Sequence, residues 1–594
     1  MRETYNPCLI ESTLDKGHSK CSIKHKIQSF LPITNWLPKY DFKKNFHGDL
    51  IAGLTVGIMH VPQGMAYASL AGVPPVYGMY SSFFTSTLYL FFGTSRHISI
   101  GVFAVASMMV GAARARHVDS EDGVNGLDSI AFISILTFLV GLFQILLGVM
   151  RLGFVTSYLS DPLVSGFTTG SAVHVLASQL NKVFGVKTPR HEGPGMILRM
   201  IRDVVYAIPD ANWINFAIAV TGLLFLDLGR TILNPLVKKL SKIPPPLELI
   251  LVIIGVFVST SLGLKYNYNI KVVDDIPNKF PSPSLPRFDV IPAVSVDALT
   301  IAVVSYMFVM SMGKLFAKKH KYTIDAAQEF YATGIMHLGA SFFPVFPVGA
   351  SLSRSSVCEM SGANTLLYTV FSSSLLLTTI LFLGPFLEPL PMCILSAIVI
   401  ASLKGLFLQV TVLPRYYKIS KHDFAVWLVA CLSTVLFDVT TGLTLSLLFT
   451  ILTVVLREQW PVFNAENHED TARQVLPGNV ELIKFHAPLH FANVAVFSDK
   501  MRHLVEKAVD SEGLIEKRII FVDCSAVSYI DTMGVDALVD AFVDAEKVSL
   551  QLFFIGFNEN VLKILHTDEN SARKVPKSAY SPSVDRAVVD IIRS

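Results

Sequence analysis

Two apolar segments too short to cross a bilayer, Gly101–Gly111 and Gly349–Met360, hold matching places in a chain otherwise built of membrane-length apolar runs. A bilayer's hydrocarbon core requires about 20 apolar residues of helix. The first short segment follows the runs Leu50–Met59 and Val76–Phe92, and the second follows the runs at 297–317 and 327–343. A span that starts part-way through the membrane must be a broken helix. Its exposed backbone groups must then line a site, because lipid cannot satisfy them. Broken segments in corresponding positions of two halves are the sequence signature of a transporter site.

Composition supports the membrane assignment. Of 594 residues, 52% are hydrophobic and only 16% charged, against about 25% charged in soluble domains. Apolar runs occupy residues 49–456. Further spans fall near 129–149, from Pro162, at 212–228 and 247–264, then at 364–384, 393–410, 423–437 and 439–456. The expected fold is a polytopic α-helical membrane protein of about fourteen transmembrane segments in two repeats of seven. An odd number per repeat forces the two halves to be inverted.

Residues 1–48 form an arm carrying Lys16, Lys20, Lys24, Lys26, Lys39, Lys43 and Lys44, and no cleavable leader is expected. By the positive-inside rule this places the N-terminus in the cytoplasm. Arg230, Lys238, Lys239 and Lys242 suit an inner loop, as do Lys314, Lys318, Lys319 and Lys321. Asp119, Glu121, Asp122 and Asp128 suit an outer one. WLPKYDFKK, from Trp36 to Lys44, either lies along the inner membrane surface or is a plain linker. After residue 456 composition becomes ordinary: 457–475 reads as a linker and 476–594 as a cytoplasmic domain of alternating strands and helices, ending in the helical VDRAVVDIIRS.

The six cysteines show no paired spacing and read as free thiols. Asp523, Asp531 and Asp540 are better explained by a strand end and a solvated helix than by a metal. No cofactor, nucleic-acid partner or enzymatic motif is indicated; the net charge of +3 selects no partner.

The chemistry points to an anion. Half-helix N-termini carry partial positive charge and free N–H groups, and here they fall near Phe103 and Ser353. Arg354 sits within an apolar region. Intramembrane arginine costs at least ~2.5 kcal/mol, so it either faces an anion, snorkels, or pairs with Glu359 or Glu329. Gln63 and Tyr67, four residues apart, share one helix face; they serve either the site or helix packing. Pro62 and Gly64 predict an irregular helix there.

The strings VPQGMAYASLAGVPPVYGMYSSFF, FFGTSRHISIG, SDPLVSGFTTGSAVHVLASQL and LSRSSVCE strongly resemble the sulfate permease (SulP) family of anion transporters, animal branch. VDCSAVSYIDTMGVDAL resembles the STAS domain that ends these proteins. The resemblance implies a core domain (segments 1–4 and 8–11) and a gate domain (5–7 and 12–14) moving as an elevator. It also implies a homodimer with STAS contacts, residence in the lipid bilayer of the plasma membrane, and cytoplasmic termini. Its anion-binding positions fall on Gln63, Tyr67, Val102, Phe103, Ser353 and Arg354.

Four departures matter. Phe308 stands where proton-coupled members carry a glutamate, which favours exchange or uncoupled transport over proton symport. The usual NQE reads Ala327-Gln328-Glu329, and Pro344–Ala350 is unusual, with two prolines. In the tail, Met533 replaces the phosphorylated serine of bacterial STAS regulators, with Thr532 beside it. The implied function is secondary active exchange of sulfate, chloride, bicarbonate or oxalate. The alternatives are a channel-like chloride conductance and an anion-gated membrane motor resembling prestin. A nucleobase–cation symporter is disfavoured by LSRS and the STAS tail.

Overall fold

The computed structural model describes residues 28, 30–119, 127–151, 160–189, 191, 193–240, 245–274, 276–277, 280–461, 463–465, 480–510, 519–584 and 586–588. Lys16, Lys20, Lys24, Lys26, Lys242, Cys8, Cys21, Glu121, Asp122 and most of the expected final helix lie outside them. The chain divides into two units, Met1–Phe449 and Thr450–Ser594.

In the first unit, helix α1 spans Phe42–Ala71. Asp41 caps it, accepting from the Lys43 and Lys44 amides, and Gly72 closes it at φ +78°. The Trp36–Lys44 stretch is not a single element. It comprises the end of a short helix (Ile33–Trp36), a tight turn (Leu37–Lys39) and the start of α1. α1 also runs through Pro62 as one helix, although Pro62 has no N–H to continue the hydrogen-bond ladder there. Proline costs a buried helix less where neighbouring elements pack around the break, and here the α1 backbone is tightly backed. A Cβ on Gly78 would lie 1.9 Å from the Gly64 carbonyl oxygen, so no side chain fits between the two.

Helix α2 follows at Val76–Phe92, then a two-residue strand β1 (Ile100–Gly101) and a short α3 (Ala104–Arg114). Helices α4 (Ser129–Val149), α5 (Asp161–Phe184), α6 (Trp213–Leu228) and α7 (Leu247–Leu262) complete the first set. The second set repeats the order: α8 (Ile291–His320), α9 (Ala326–Ala340), strand β2 (Gly349–Ala350), short α10 (Leu352–Met360), α11 (Tyr368–Thr378), α12 (Met392–Phe407), α13 (Lys421–Leu436) and α14 (Val439–Gln459), the last of which continues past Phe449 into the second unit.

Each broken segment is thus an extended lead-in plus a half-length helix. β1 and β2 pair antiparallel, Ile100 with Ala350 and Gly101 with Gly349, as two inverted halves require. Six described helical stretches are by themselves long and apolar enough to span a bilayer, among them Ser129–Val149 and Phe288–His320. α1 and α5 carry more polar side chains, and these point into protein: His60, Gln63, Thr168 and His174 are all buried.

Two basic stretches differ from expectation. Lys314, Lys318 and Lys319 lie on α8, which continues to His320, not in a loop. Arg230 lies in a π-helical turn, Gly229–Leu233, that prolongs α6. An amphipathic helix not foreseen from the apolar runs, Met196–Ala207, joins α5 to α6.

The second unit is a five-strand sheet in the order β3 (Phe463–Ala465), β4 (Val480–Phe485), β5 (Ile519–Asp523), β6 (Gln551–Ile555), β7 (Tyr580–Ser581). β3 pairs antiparallel with β4, and the other pairs are parallel. The 457–475 stretch expected as linker therefore supplies an edge strand. Helices α15 (Val494–Asp510), α16 (Thr532–Lys547), α17 (Glu559–Thr567) and α18 (Glu569–Lys574) accompany the sheet. Phe485, Phe497 and Phe554 are fully buried in its core.

Candidate anion site

The two extended lead-ins are buried backbone, so each polar group on them needs a partner. Side chains from surrounding helices supply them. The Phe346 amide donates to Ser81 Oγ at 2.9 Å and the Val348 amide to His337 Nε2 at 3.1 Å. Ser305 Oγ donates to the Val348 carbonyl, and Thr137 Oγ1 to the Val345 carbonyl at 2.9 Å. On the other lead-in, Tyr368 Oη donates to the Ile98 carbonyl at 2.5 Å and the Ser99 amide to Ser355 Oγ at 2.8 Å. Pro344–Ala350 is therefore a clamped stretch of largely buried backbone. Gly101 has φ +154°, and a Cβ there would meet His60 Cε1 at 2.5 Å. Only glycine fits where β1 crosses α1.

Phe103 and Ser351 are the N-caps of α3 and α10, and neither uses a side-chain cap. The first amides bonded back within these helices are Ser107, to Phe103, and Ser355, to Ser351. The amides of 104–106 and 352–354 therefore precede any intrahelical bond, and remain donors with the positive end of each helix dipole. Both tips open on one cavity. Its wall includes Ala104 and Val105 of α3, Ser351, Leu352 and Ser353 of α10, and Tyr67, Phe308 and Phe103.

The expected residues separate into two layers. Tyr67, Phe103, Phe308 and Ser353 form the wall. Tyr67 Oη bonds Ser402 Oγ of α12 at 2.9 Å, and the Phe103 and Phe308 rings lie 4.7 Å apart. Gln63, Val102 and Arg354 lie behind the wall and are buried. Val102 donates its amide to Ser82 Oγ at 3.4 Å.

Arg354, with no exposed surface, donates from Nη1 to Gln63 Oε1 at 2.8 Å and from Nε to Ser99 Oγ at 3.4 Å. Among the described residues, its Nη2 and the Gln63 amide nitrogen have no partner. Neither carboxylate considered from sequence serves it. Glu359 pairs with Lys319 and His320 at 2.8 and 2.9 Å. Glu329 accepts from Thr94 and, at 2.9 Å, from Tyr89. Gln328 of the altered NQE stretch donates to the Phe30 and Phe92 carbonyls, both at 3.0 Å. Arg354 is thus a buried cation whose hydrogen-bond partners among the described residues are neutral.

Sequence reasoning missed two basic residues of the cavity wall. Arg230 and Lys404 line it, each held by a carboxylate: Arg230 by Glu248 at 2.8 Å and Lys404 by Asp227 at 2.5 Å. Arg230 had signalled only loop charge. A lysine thirteen residues into an apolar helix was the available cue for Lys404. Elsewhere, among the described residues, no three His, Cys, Asp or Glu side chains come together as a ligand set. Asp531 caps α16 through the Gly534 amide at 2.8 Å, and Asp523 accepts from the Ser525 amide at 2.9 Å.

Residues 46–430 match the sulfate permease family model, and residues 474–569 match the STAS domain. The chain belongs to the sulfate permease family. Human "Sulfate transporter" is 33% identical over 93% of this chain and 84% of its own length. Zebrafish (Danio rerio) "Prestin" is 37% identical over 84% of this chain and 71% of its own. The solved structure of the murine Slc26a9 anion transporter in the inward-facing state superposes with a TM-score of 0.84 at 28% identity, covering 100% of this chain and 99% of that one. This member of the family is accordingly an integral membrane anion transporter with a STAS domain, and not an enzyme.

Proposed function

We propose that this chain exchanges small anions, with sulfate, chloride, bicarbonate or oxalate as the candidate pair, and that the anion sits between the α3 and α10 tips. The observation that carries this reading is the convergence of two half-helix N-termini on one cavity backed by Arg354, whose charge no hydrogen-bonded carboxylate offsets. A buried cation of this kind is stabilised by a mobile counter-ion. Phe308 on the same wall cannot take up a proton, which favours exchange over proton symport.

The Tyr67–Ser402 bond joins the first and twelfth segments, and it would break and reform if a core moved as an elevator against a gate. A homodimer in the plasma membrane, with both termini cytoplasmic, completes the reading. A second reading, anion-dependent charge movement with little flux, is favoured by the higher identity to prestin than to the sulfate transporter. The test is labelled sulfate uptake into voltage-clamped proteoliposomes loaded with chloride, bicarbonate, oxalate or no exchangeable anion. Exchange requires uptake that depends on the trapped anion. Equal uptake without one contradicts it, and charge movement without uptake selects the second reading.

A further inference from the structure

We propose that α8 is a strut that sets the spacing of the two half-helices, through a charged clamp at each of its ends. The inference rests on the anion site lying between the half-helix tips. Near one end of α8, Asp297 accepts from Arg116 and, at 2.9 Å, from His117. Both partners sit on the π-helical turn Ala115–Asp119 that prolongs α3. Near the other end of α8, Lys319 and His320 meet Glu359 at 2.8 and 2.9 Å, one residue before α10 ends. The polarity reverses between the clamps: α8 supplies the acid at one end and the bases at the other.

The geometry suits a strut. Asp297 and Lys319 are 22 residues apart on one helix, about 33 Å at 1.5 Å per residue. That matches the ~30 Å hydrocarbon core. The half-helices are joined at their near ends by the β1–β2 pair. The clamps hold their far ends. Between the clamps, α8 also supports both lead-in stretches: Phe308 packs on Phe103 at 4.7 Å, and Ser305 donates to the Val348 carbonyl. One helix therefore touches both half-helices or the strands leading into them, near its middle and at both ends.

The two clamps are not equal. Asp297 is 8% exposed and takes two donors. The Lys319 side chain is 60% exposed, so water screens its share of the inner clamp. The surroundings differ too. At the α3 end the nearby Arg114 is paired with Asp119 at 2.6 Å, and the His117 ring lies 5.9 Å from that of Phe132. At the α10 end the His97 ring stacks on His320 at 4.2 Å, and Arg96 lies over the Tyr322 ring. Asp297, Arg116, His117, Glu359, Lys319 and His320 are thus positioning residues. They touch no anion and act by holding the tips at one separation.

The test uses the full chain in lipid nanodiscs, with sulfate affinity measured per folded molecule and folding followed by size exclusion and thermal midpoint. Asp297→Asn and Glu359→Gln should weaken sulfate binding roughly 2- to 30-fold, with the larger loss at Asp297. Asp297→Glu should recover most of that loss. The exchange Glu359→Lys with Lys319→Glu should recover binding that either single change loses, which a purely structural contact at an exposed pair would not show. Should Asp297→Asn fail to fold, the pair Arg116→Gln and His117→Gln opens the same clamp from the other side. Folded variants that bind sulfate as the parent does would overturn the strut. A parent that binds none of sulfate, chloride, bicarbonate and oxalate would instead overturn the underlying site, and the strut with it.

Discussion

Replacing Arg354 by alanine separates anion binding from folding. The guanidinium is fully buried, and its hydrogen-bond partners among the described residues are the neutral Gln63 and Ser99. If an anion held over the first-turn amides is taken to lie roughly 6–8 Å from this charge, the attraction at an effective dielectric constant near 20 is about 2–3 kcal/mol. Its removal should therefore weaken anion binding by about 30- to 100-fold. Stability should move little. The lost Gln63 bond costs roughly 1–3 kcal/mol, but the variant no longer buries a cation that costs at least ~2.5 kcal/mol in a membrane helix. Sulfate titration by calorimetry, alongside a thermal scan of the same detergent-solubilised sample, reads both quantities. Arg354→Lys should fall between, keeping the charge but losing the planar fork that reaches Gln63 and Ser99 together. A folded Arg354→Ala protein with parental sulfate affinity would refute the electrostatic argument.

Phe308→Glu should make transport pH-dependent. Phe308 is only 6% exposed beside Phe103, and burial raises a carboxyl's pKa, so the group is neutral in acid and repels anions once it ionises. Uptake should be faster at about pH 5 than at about pH 7.5, and a flat profile would contradict this. Gly101→Ala should destabilise by about 1–3 kcal/mol and abolish transport, because its Cβ would sit 2.5 Å from His60 Cε1 at a φ of +154°. An unchanged melting temperature would show that the β1 crossing has slack. Asp531→Ala removes acceptors from the Gly534 and Phe491 amides, both at 2.8 Å, at a cost of about 1–2 kcal/mol. Hydrogen exchange on the full chain should quicken at those amides and leave the membrane helices untouched. Uniform exchange across the chain would argue against a local cap.

The broken segments were legible because their apolar runs stop short of a membrane's thickness, and the structure makes each one an extended lead-in plus a half-length helix. Arg354 was legible because a charge in an apolar run has few ordinary explanations. Its partner was not, since Gln63 lies 291 positions away in the chain and only folding brings them together. That α1 continues as one helix through Pro62 was hidden for a related reason. Proline breaks an isolated helix, but the close Gly64–Gly78 approach that backs α1 is a tertiary contact. Basic residues were read as loop charge. In the fold, Lys319 and His320 are on α8 and reach Glu359, and Arg230 turns toward the cavity and Glu248. Charge counting ranks sides of a membrane, and it carries no information about which carboxylate a basic side chain meets. β3 was missed because three residues pairing at a sheet edge leave no periodic pattern.

The central claim is that an anion sits between the tips of α3 and α10. Its most direct test is an experimental density map of the protein in lipid with selenate replacing sulfate, using the anomalous signal or a difference against an anion-free map. The account predicts a peak within hydrogen-bond distance of the amides of 104–106 and 352–354, beside Tyr67 and Phe103 and in front of Arg354. A peak at Arg230 and Lys404, with none at the tips, would contradict it.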